Sequence, residues 1–215
     1  HPFTSKRPTL NTDYFETFNK KNVRLIDLKE NPIVNITKNG IKTKNEEFKF
    51  DKIIFATGYD ALSGPILSLN LTGRKNIKLN KYWKNGPITY LGLMIPNFPN
   101  FFIISGPGSP SVLTNVPAQI QQHVEWISEF IRYLEKSNSL SVEPEAKEAE
   151  NWVKKINTLA KKSLFMKAKN SWYKGDNIPG KPKTFIPYPA GLPQYREICN
   201  KVRKKMYKGF NISLK

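Results

Sequence analysis

The segment Asp51-Lys-Ile-Ile-Phe-Ala-Thr-Gly-Tyr-Asp-Ala61 says most about the fold of this chain. Its apolar run Ile53-Ile54-Phe55 predicts a short strand that is covered on both faces. The small residues Ala56-Thr57-Gly58 follow, and they let a backbone or a cofactor approach closely. Ligands of open α/β sheets lie beyond the carboxyl ends of the strands. Taken alone, the tripeptide most simply closes a strand, so its surroundings must decide whether it also borders a ligand.

The chain before this segment predicts a small antiparallel meander. Asn-Gly between two alternating runs is a strong hairpin signal, and Lys38-Asn39-Gly40 supplies it here. A short helix is expected at 14–19. The predicted strands lie at 22–28, 33–37, 41–43 and 47–50.

A second apolar run, residues 101–105, predicts another strand, which ends at the loop 106–110. A helix is expected to begin at Asn115, a good N-cap, with Pro117 in its first turn. The helical spacing predicts one apolar stripe, formed by Ile120, Val124, Ile127, Ile131 and Leu134.

Two further helices are predicted near the C-terminus. The first runs from about 144 to 164, with Trp152, Ile156 and Leu159 on one face. The second is stopped by Gly209. Its stripe comprises Tyr195, Ile198, Cys199, Val202 and Met206. The pattern assigns His123 and Cys199 to packing and not to catalysis.

Composition excludes several classes of function. Cys199 is the single cysteine, and His1 and His123 are the two histidines, so a metal centre or a Ser-His-Asp triad is hard to build. The net charge of +18 comes mostly from scattered lysines, which does not predict a specific nucleic-acid surface. No apolar run approaches the ~20 residues of a membrane span. No signal peptide is visible, and a reducing cytoplasm is the default expectation.

Several motifs together resemble those of Baeyer–Villiger monooxygenases, of the phenylacetone and cyclohexanone type. The resemblance covers essentially the whole chain. Its motifs are Ala56-Thr-Gly-Tyr-Asp60, Tyr82-Trp-Lys-Asn-Gly-Pro87, Tyr90-Leu-Gly-Leu93, Phe98-Pro-Asn-Phe-Phe-Ile-Ile104, Gly106-Pro-Gly-Ser-Pro110, His123-Val-Glu-Trp-Ile127 and Ser171-Trp-Tyr-Lys-Gly-Asp-Asn-Ile-Pro-Gly-Lys181.

The resemblance implies an α/β fold, the C-terminal part of a Rossmann-like flavoprotein with two dinucleotide-binding domains, a small antiparallel meander and several helices. Residues 1–50 would return from the NADPH domain, 51–61 would form the crossover, and 62–215 would complete the FAD domain. No G-x-G-x-x-G occurs in the sequence. The resemblance therefore implies a fragment, inactive alone, whose N-terminal half is its missing partner.

The family's activity uses FAD and NADPH to insert one oxygen atom of O2 beside a ketone carbonyl through a flavin peroxide, giving an ester or lactone. By position in the motifs, Arg7 matches the catalytic arginine and also a cofactor contact. Lys6 matches the residue at the 2′-phosphate of NADPH, and Trp172 matches a tryptophan on a mobile loop, 171–183, that closes over NADP. Val116 would offer a backbone N–H to the flavin. Three residues would line the substrate pocket: Ser111, Val112 and Leu113. The remaining cofactor-binding positions are Thr57, Gly58 and Asp60.

Two alternatives stay open at this point. An N-hydroxylating or ordinary flavin-containing monooxygenase shares the Ala-Thr-Gly-Tyr strand, but it should lack both the Lys6-Arg7 pair and the Trp172 loop. A basic module that binds nucleic acid would instead use the positive charge, and its affinity would fall steeply with salt. Outside the family pattern, a Lys-Arg pair is most often solvated, and a tryptophan most often anchors its loop in the core.

Overall fold

The computed structural model describes residues 2–3 and 5–214. The chain divides into two compact units: Pro8–Gly58, and Tyr59–Lys215 together with His1–Arg7. The N-terminal residues therefore pack with the larger unit, although the chain passes through the smaller unit before it returns there.

The smaller unit is built on the predicted meander. After the short helix α1 (Tyr14–Thr17), strands β1 (Ile33–Thr37), β2 (Gly40–Thr43) and β3 (Glu47–Lys49) form an antiparallel sheet in the order β1-β2-β3. Thr37 pairs with Gly40, which confirms the hairpin at Asn39-Gly40. The strand predicted at 22–28 is wrong, because residues 23–27 have no ladder partner and run as irregular chain beside the sheet.

The buried strand predicted at Ile53-Ile54-Phe55 is also wrong in this structure. The segment forms no ladder, and the side chains of Ile54 and Phe55 are 90% and 68% exposed. An apolar strand becomes buried only when other elements cover both of its faces. The described residues of this unit supply neither a neighbouring strand nor a cover.

The larger unit is mainly helical. Its helices are α2 (Gly64–Ser68), α3 (Leu79–Tyr82), α4 (Val116–Lys136), α5 (Ala146–Lys161) and α6 (Leu192–Lys204). Strands β4 (Ser139–Pro144) and β5 (Phe210–Leu214) pair antiparallel, and short 3₁₀ turns lie at Arg74–Asn76, Ser111–Leu113 and Leu164–Lys167. The helices predicted to start at Asn115 and to run through Trp152 and Tyr195 are therefore confirmed.

Residues 101–105 do not form the predicted strand. Phe102 makes one isolated antiparallel bridge with Met94, and Ile104 is about half exposed. As at 53–55, an apolar run without a neighbouring strand in the described chain cannot extend a ladder.

Aromatic residues dominate the main core, which lies between α4, α5, α6 and the β4–β5 sheet. Trp126 and Phe130 of α4 meet Tyr207 and Phe210, with the rings of Phe130 and Tyr207 stacked 3.9 Å apart. Because Tyr207 and Phe210 follow α6, they fix its end against α4. The helix ends at Lys204, earlier than predicted, and Met206 is exposed and not part of the stripe.

The face that helix α4 buries includes Ile127 of the predicted stripe, but most of the stripe lies outside it. Ile120, Val124 and Ile131 are about 40% exposed. The buried residues are Gln119, Gln122, His123, Trp126, Ile127 and Phe130. The stripe prediction is wrong at Ile120, Val124 and Ile131, because buried polar side chains of this helix have partners on neighbouring loops and helices, which apolar periodicity cannot reveal.

Candidate functional site

The N-terminal segment brings Lys6 and Arg7 to two separate loops of the larger unit. The Arg7 guanidinium donates through Nη2 to the carbonyl oxygen of Val112. The Lys6 ammonium donates to the carbonyl oxygen of Asn170 over 3.0 Å. The first loop carries the three predicted pocket residues, and the second leads directly into Trp172. Through the adjacent residues Lys6 and Arg7, the structure therefore brings residues 111–113 close to the start of the 171–183 loop.

The predicted pocket residues form one short 3₁₀ turn, Ser111–Leu113. Ser111 is buried and has φ 48°, a left-handed conformation that few residues other than glycine adopt freely. Val112 and Leu113 are half-buried. A strained residue such as Ser111 keeps its conformation only where neighbouring residues hold it. The contacts of the segment before Ser111 therefore decide whether the turn is stable.

That segment is fixed by buried side chains. Residues 105–113 are called the clamped loop below. The indole N–H of Trp152 donates to the Gly108 carbonyl over 3.0 Å, and Gly108 N–H donates to Ile186 O over 2.9 Å. Thr89 Oγ1 donates to the Pro107 carbonyl. These bonds involve three separate parts of the chain, so the loop has little freedom to move.

Helix α4 presents a free backbone donor at its start. Asn115 caps the helix by accepting from Ala118 N–H over 3.1 Å, and Pro117 has no N–H to offer. Val116 N–H has no acceptor among the described residues. A 21-residue helix also places partial positive charge at this end. Val116 can therefore donate to an electron-rich acceptor, which fits the predicted backbone contact with a cofactor.

His123 lies inside the same helix and is fully buried. Its Nδ1 accepts from Ser105 N–H over 3.0 Å, so the ring proton must be on Nε2, which lies 2.9 Å from Tyr195 Oη. Tyr195 in turn donates to the Leu91 carbonyl. Burial lowers the pKa of His123 from 6.5 to about 4, because the charged ring would lose its hydration. His123 is thus a neutral structural residue, as its sequence context suggested.

Loop 171–183, called the Trp172 loop below, has no regular secondary structure. Within the loop, Asp176 accepts from Ser171 N–H, and Lys174 lies 3.0 Å from Asp176. The carbonyls of Tyr173 and Lys174 accept from the backbone N–H groups of Ile186 and Thr184 beside the loop. Hydrogen bonds and the nearby Lys174 ammonium outweigh the effect of burial and lower the pKa of Asp176. Gly175 and Gly180 both have positive φ. At its far end, Lys181 forms an ion pair with Asp60, the last residue of the Ala-Thr-Gly-Tyr-Asp motif.

Trp172 differs from the other three tryptophans. Trp83, Trp126 and Trp152 are 2–4% exposed, and each donates its indole N–H to a backbone carbonyl. Trp172 is half-buried, its ring contacts Tyr173 at 4.5 Å, and its N–H has no partner within the described chain. An indole with a free N–H at the rim of a site can still bind a ligand.

Two other predicted cofactor positions, Thr57 and Gly58, make few contacts in this structure. Thr57 and Gly58 belong to the smaller unit, where both are exposed. A side chain at Gly58 would meet no atom within 4 Å. Sequence reasoning missed Asn170 and Gln119, which contact the site through single atoms and belong to no recognisable motif. In the described residues, no cluster of three or more histidine, cysteine or carboxylate side chains could hold a metal, and no helix could span a bilayer.

Comparison with known proteins finds relatives that match nearly the whole chain. The chain is 41% identical over 211 residues to cyclohexanone 1,2-monooxygenase from an Acinetobacter species. This alignment covers 98% of this chain and 38% of that enzyme. No family model matches the chain.

Two solved structures share the fold at comparable identity. Oxidised steroid monooxygenase bound to NADP is 39% identical with a TM-score of 0.88, and the match covers 100% of this chain and 40% of that one. OTEMO in complex with FAD and NADP is 33% identical with a TM-score of 0.92, covering 99% and 39%. The chain thus spans about two fifths of the length of the proteins that it matches.

Proposed function

Since the chain is homologous over nearly its whole length to part of the Baeyer–Villiger and cyclohexanone monooxygenases, we propose that the complete protein is an FAD- and NADPH-dependent monooxygenase of this type. It would insert one oxygen atom of O2 beside the carbonyl of a small ketone and release an ester or lactone. The 215-residue chain alone is proposed to be inactive, since it contains no G-x-G-x-x-G. The buried single thiol, Cys199, suits a reducing cytoplasm.

The domain assignment is part of this proposal. Residues 1–50 would complete the NADPH domain, 51–61 would cross between domains, and 62–215 would complete the FAD domain. The exposed apolar residues Ile54 and Phe55 support a crossover that becomes covered in the complete protein.

The observation that carries the proposal is the contact between Arg7 and Val112. A guanidinium stays charged at every physiological pH, and here it lies beside the proposed ketone pocket. Reduced FAD would supply the activation of O2. Arg7 would stabilise the negative charge that develops on oxygen during transfer to the ketone, and such preorganised charge is usually the largest contribution to catalysis. Ser111, Val112 and Leu113 would contact the ketone.

The cofactors have matching groups in the chain. Val116 N–H, free at the start of α4, would donate to a flavin carbonyl. Lys6 uses one of its three N–H donors on Asn170, which leaves two for the 2′-phosphate of NADPH. Trp172, with its unpaired indole N–H, would close over the nicotinamide and ribose. Asp60 would act through its ion pair with Lys181 of the Trp172 loop, and Thr57 and Gly58 would allow close approach of a cofactor.

The alternative of an ordinary or N-hydroxylating flavin monooxygenase is less well supported. Such an enzyme was expected to lack both the Lys6-Arg7 pair and the Trp172 loop. In this chain the pair contacts the carbonyls of Val112 and Asn170, and the second of these lies two residues before Trp172.

The proposal can be tested on the holoenzyme that contains this chain, with cyclohexanone as the first of a panel of ketones. We expect NADPH consumption to rise with ketone and ester to form in proportion. Steady NADPH consumption with hydrogen peroxide as the only product from every ketone would contradict the proposal. Oxygenation of an amine, tested in parallel, would favour the alternative.

A further inference from the structure

A side-chain hydrogen bond spans the turn that contacts Arg7, in addition to the backbone bonds of Leu113 N–H to Pro110 O and of Thr114 N–H to Ser111 O. Gln119, in the second turn of α4, donates through Nε2 to Ser109 Oγ over 2.9 Å, and the two residues are ten apart in sequence. The segment between them contains the whole Ser111–Leu113 turn and the cap residue Asn115. Gln119 therefore joins the end of the clamped loop to the helix that follows it.

Ser109 is a rigid anchor for this bond. It is fully buried, its Oγ donates to Gly106 O over 2.8 Å, and its carbonyl accepts from Tyr188 N–H over 2.8 Å. Gln119 Nε2 also lies 3.3 Å from Ser105 Oγ, at the other end of the same loop. Because Ser109 cannot move, the bond to Gln119 fixes where the strained turn at Ser111 begins.

Packing alone does not explain a glutamine at this position. Gln119 is completely buried, and its Oε1 has no hydrogen-bond partner among the described residues. A buried carbonyl oxygen without a partner is destabilising, whereas methionine would fill similar space without that cost. The amide is therefore explained by what its N–H groups do for Ser105 and Ser109.

We infer that Gln119 is a positioning residue for the proposed oxygenation. Through Ser109 it fixes the 110–113 segment, so that the Val112 carbonyl holds the Arg7 guanidinium beside the ketone. Because Gln119 is completely buried, its assigned action is through Ser109 and not through direct contact with a ligand. This inference rests on the proposed function, and it adds a residue that sequence reasoning did not single out.

The test compares Gln119→Met with the parent in the holoenzyme that contains this chain. We expect the ester formed per NADPH consumed to fall about fivefold, equivalent to about 1 kcal/mol, the net value of one hydrogen bond. NADPH consumption should stay near the parent rate. Gln121→Met is the matched control, because Gln121 is exposed on the same helix and its side chain bonds to Glu125 one turn along that helix. Its ratio of ester to NADPH should equal the parent's.

A second variant keeps the test valid if Gln119→Met folds poorly. Ser109→Ala should also lower coupling, and the loss in the double variant should be clearly less than the sum of the two single losses, because both variants remove the Gln119–Ser109 bond. Additive losses, or equal losses of NADPH consumption and ester, would overturn the inference, as would parental coupling in Gln119→Met. A parent holoenzyme that forms no ester from any ketone would instead refute the proposed function.

Discussion

The two loops of the candidate site are held in different ways. The clamped loop, 105–113, accepts hydrogen bonds from the side chains of Thr89, Trp152 and Gln119 and from Tyr188 N–H, and it donates one to the Ile186 carbonyl. In the Trp172 loop, by contrast, Asp176 bonds within the loop to Ser171 and Lys174. The bonds of this loop to Thr184, Ile186, Met166 and Asp60 are made by its backbone carbonyls or by lysine side chains. The first loop contacts Arg7, and Asn170, which directly precedes the second loop, contacts Lys6.

This difference matches two chemical requirements. A group that stabilises charge in a transition state must already be in place, since reorganisation during the reaction would cost energy. A group that closes over a cofactor must instead be able to move away. The clamped loop suits the first task and the Trp172 loop the second.

The largest expected difference between the two loops is in how much a tryptophan at each contributes to the stability of the protein. Trp152→Ala removes the indole that donates to Gly108 and stacks on Tyr188, so it should lower the free energy of unfolding by about 3–5 kcal/mol. Trp172→Ala breaks no hydrogen bond within the described chain and should cost about 1 kcal/mol or less. Urea denaturation of the two variants measures both. Equal losses would mean that Trp172 is a core anchor and that the two loops do not differ.

The next largest effect is expected at Arg7. Arg7→Ala in the holoenzyme should lower ester formation by roughly 10²–10³, as loss of a preorganised charge does, while NADPH still reduces the flavin. Single-turnover measurements separate the two steps. Arg132→Ala is the control, because Arg132 is exposed on α4 and far along the helix from its start. An Arg7→Ala enzyme that forms ester at the parental rate would remove Arg7 from the mechanism.

A pH effect is expected where His123 supports Ser105 of the clamped loop. Its pKa is about 4 in the folded protein and 6.5 ordinarily, so above pH 6.5 both states are neutral and its contribution is fully present. Between pH 6.5 and 4 the unfolded state takes up a proton that the folded state does not. Stability should therefore fall by about 1.4 kcal/mol per pH unit in that range.

His123→Gln is the comparison for this effect, because glutamine does not titrate there. The parent should lose about 2–3 kcal/mol more than the variant between pH 7 and pH 4.5. ¹⁵N NMR gives a direct check, since the chain has only two histidines. A ring that titrates near 6.5, or that carries its proton on Nδ1, would contradict the assigned network.

The smallest effect is expected from Trp172→Ala on catalysis. Hydride transfer needs only brief stacking of the nicotinamide, so NADPH consumption should continue. Without the indole, NADP would be retained less well, and we expect about a tenfold lower ratio of ester to NADPH, equivalent to about 1.4 kcal/mol, with more hydrogen peroxide. Trp172→Phe, which keeps the ring but not the N–H, shows which part matters. Unchanged coupling in both variants would show that the Trp172 loop does not close over NADP as proposed.

Local signals predicted the helices and the hairpin well. Asn115 capped α4 as expected, the Lys38-Asn39-Gly40 turn formed, and Trp152 and Tyr195 lie in the core. The runs at 53–55 and 101–105 failed because a strand depends on neighbours that a single segment cannot reveal.

Residues of the candidate site could be named from the sequence only where they belong to a motif of the resembled family. Lys6, Arg7, Val112 and Trp172 were identified through the resemblance, and the structure brings their segments together through backbone carbonyls. Gln119 was not singled out, because its partner Ser109 is defined by the folded loop. His123 was assigned a structural role, but its bond to Ser105 could not be predicted. Buried polar contacts between distant segments leave no periodic trace in a sequence.

The most direct measurement is the origin of the oxygen in the product. The holoenzyme that contains this chain is incubated with NADPH and cyclohexanone under ¹⁸O₂, and the product is examined by mass spectrometry. If the chain belongs to a Baeyer–Villiger monooxygenase, the lactone should carry one ¹⁸O atom, and the Arg7→Ala variant should yield almost none of it. Lactone whose new oxygen comes from water, or labelled hydrogen peroxide as the only product from every ketone tested, would contradict this function.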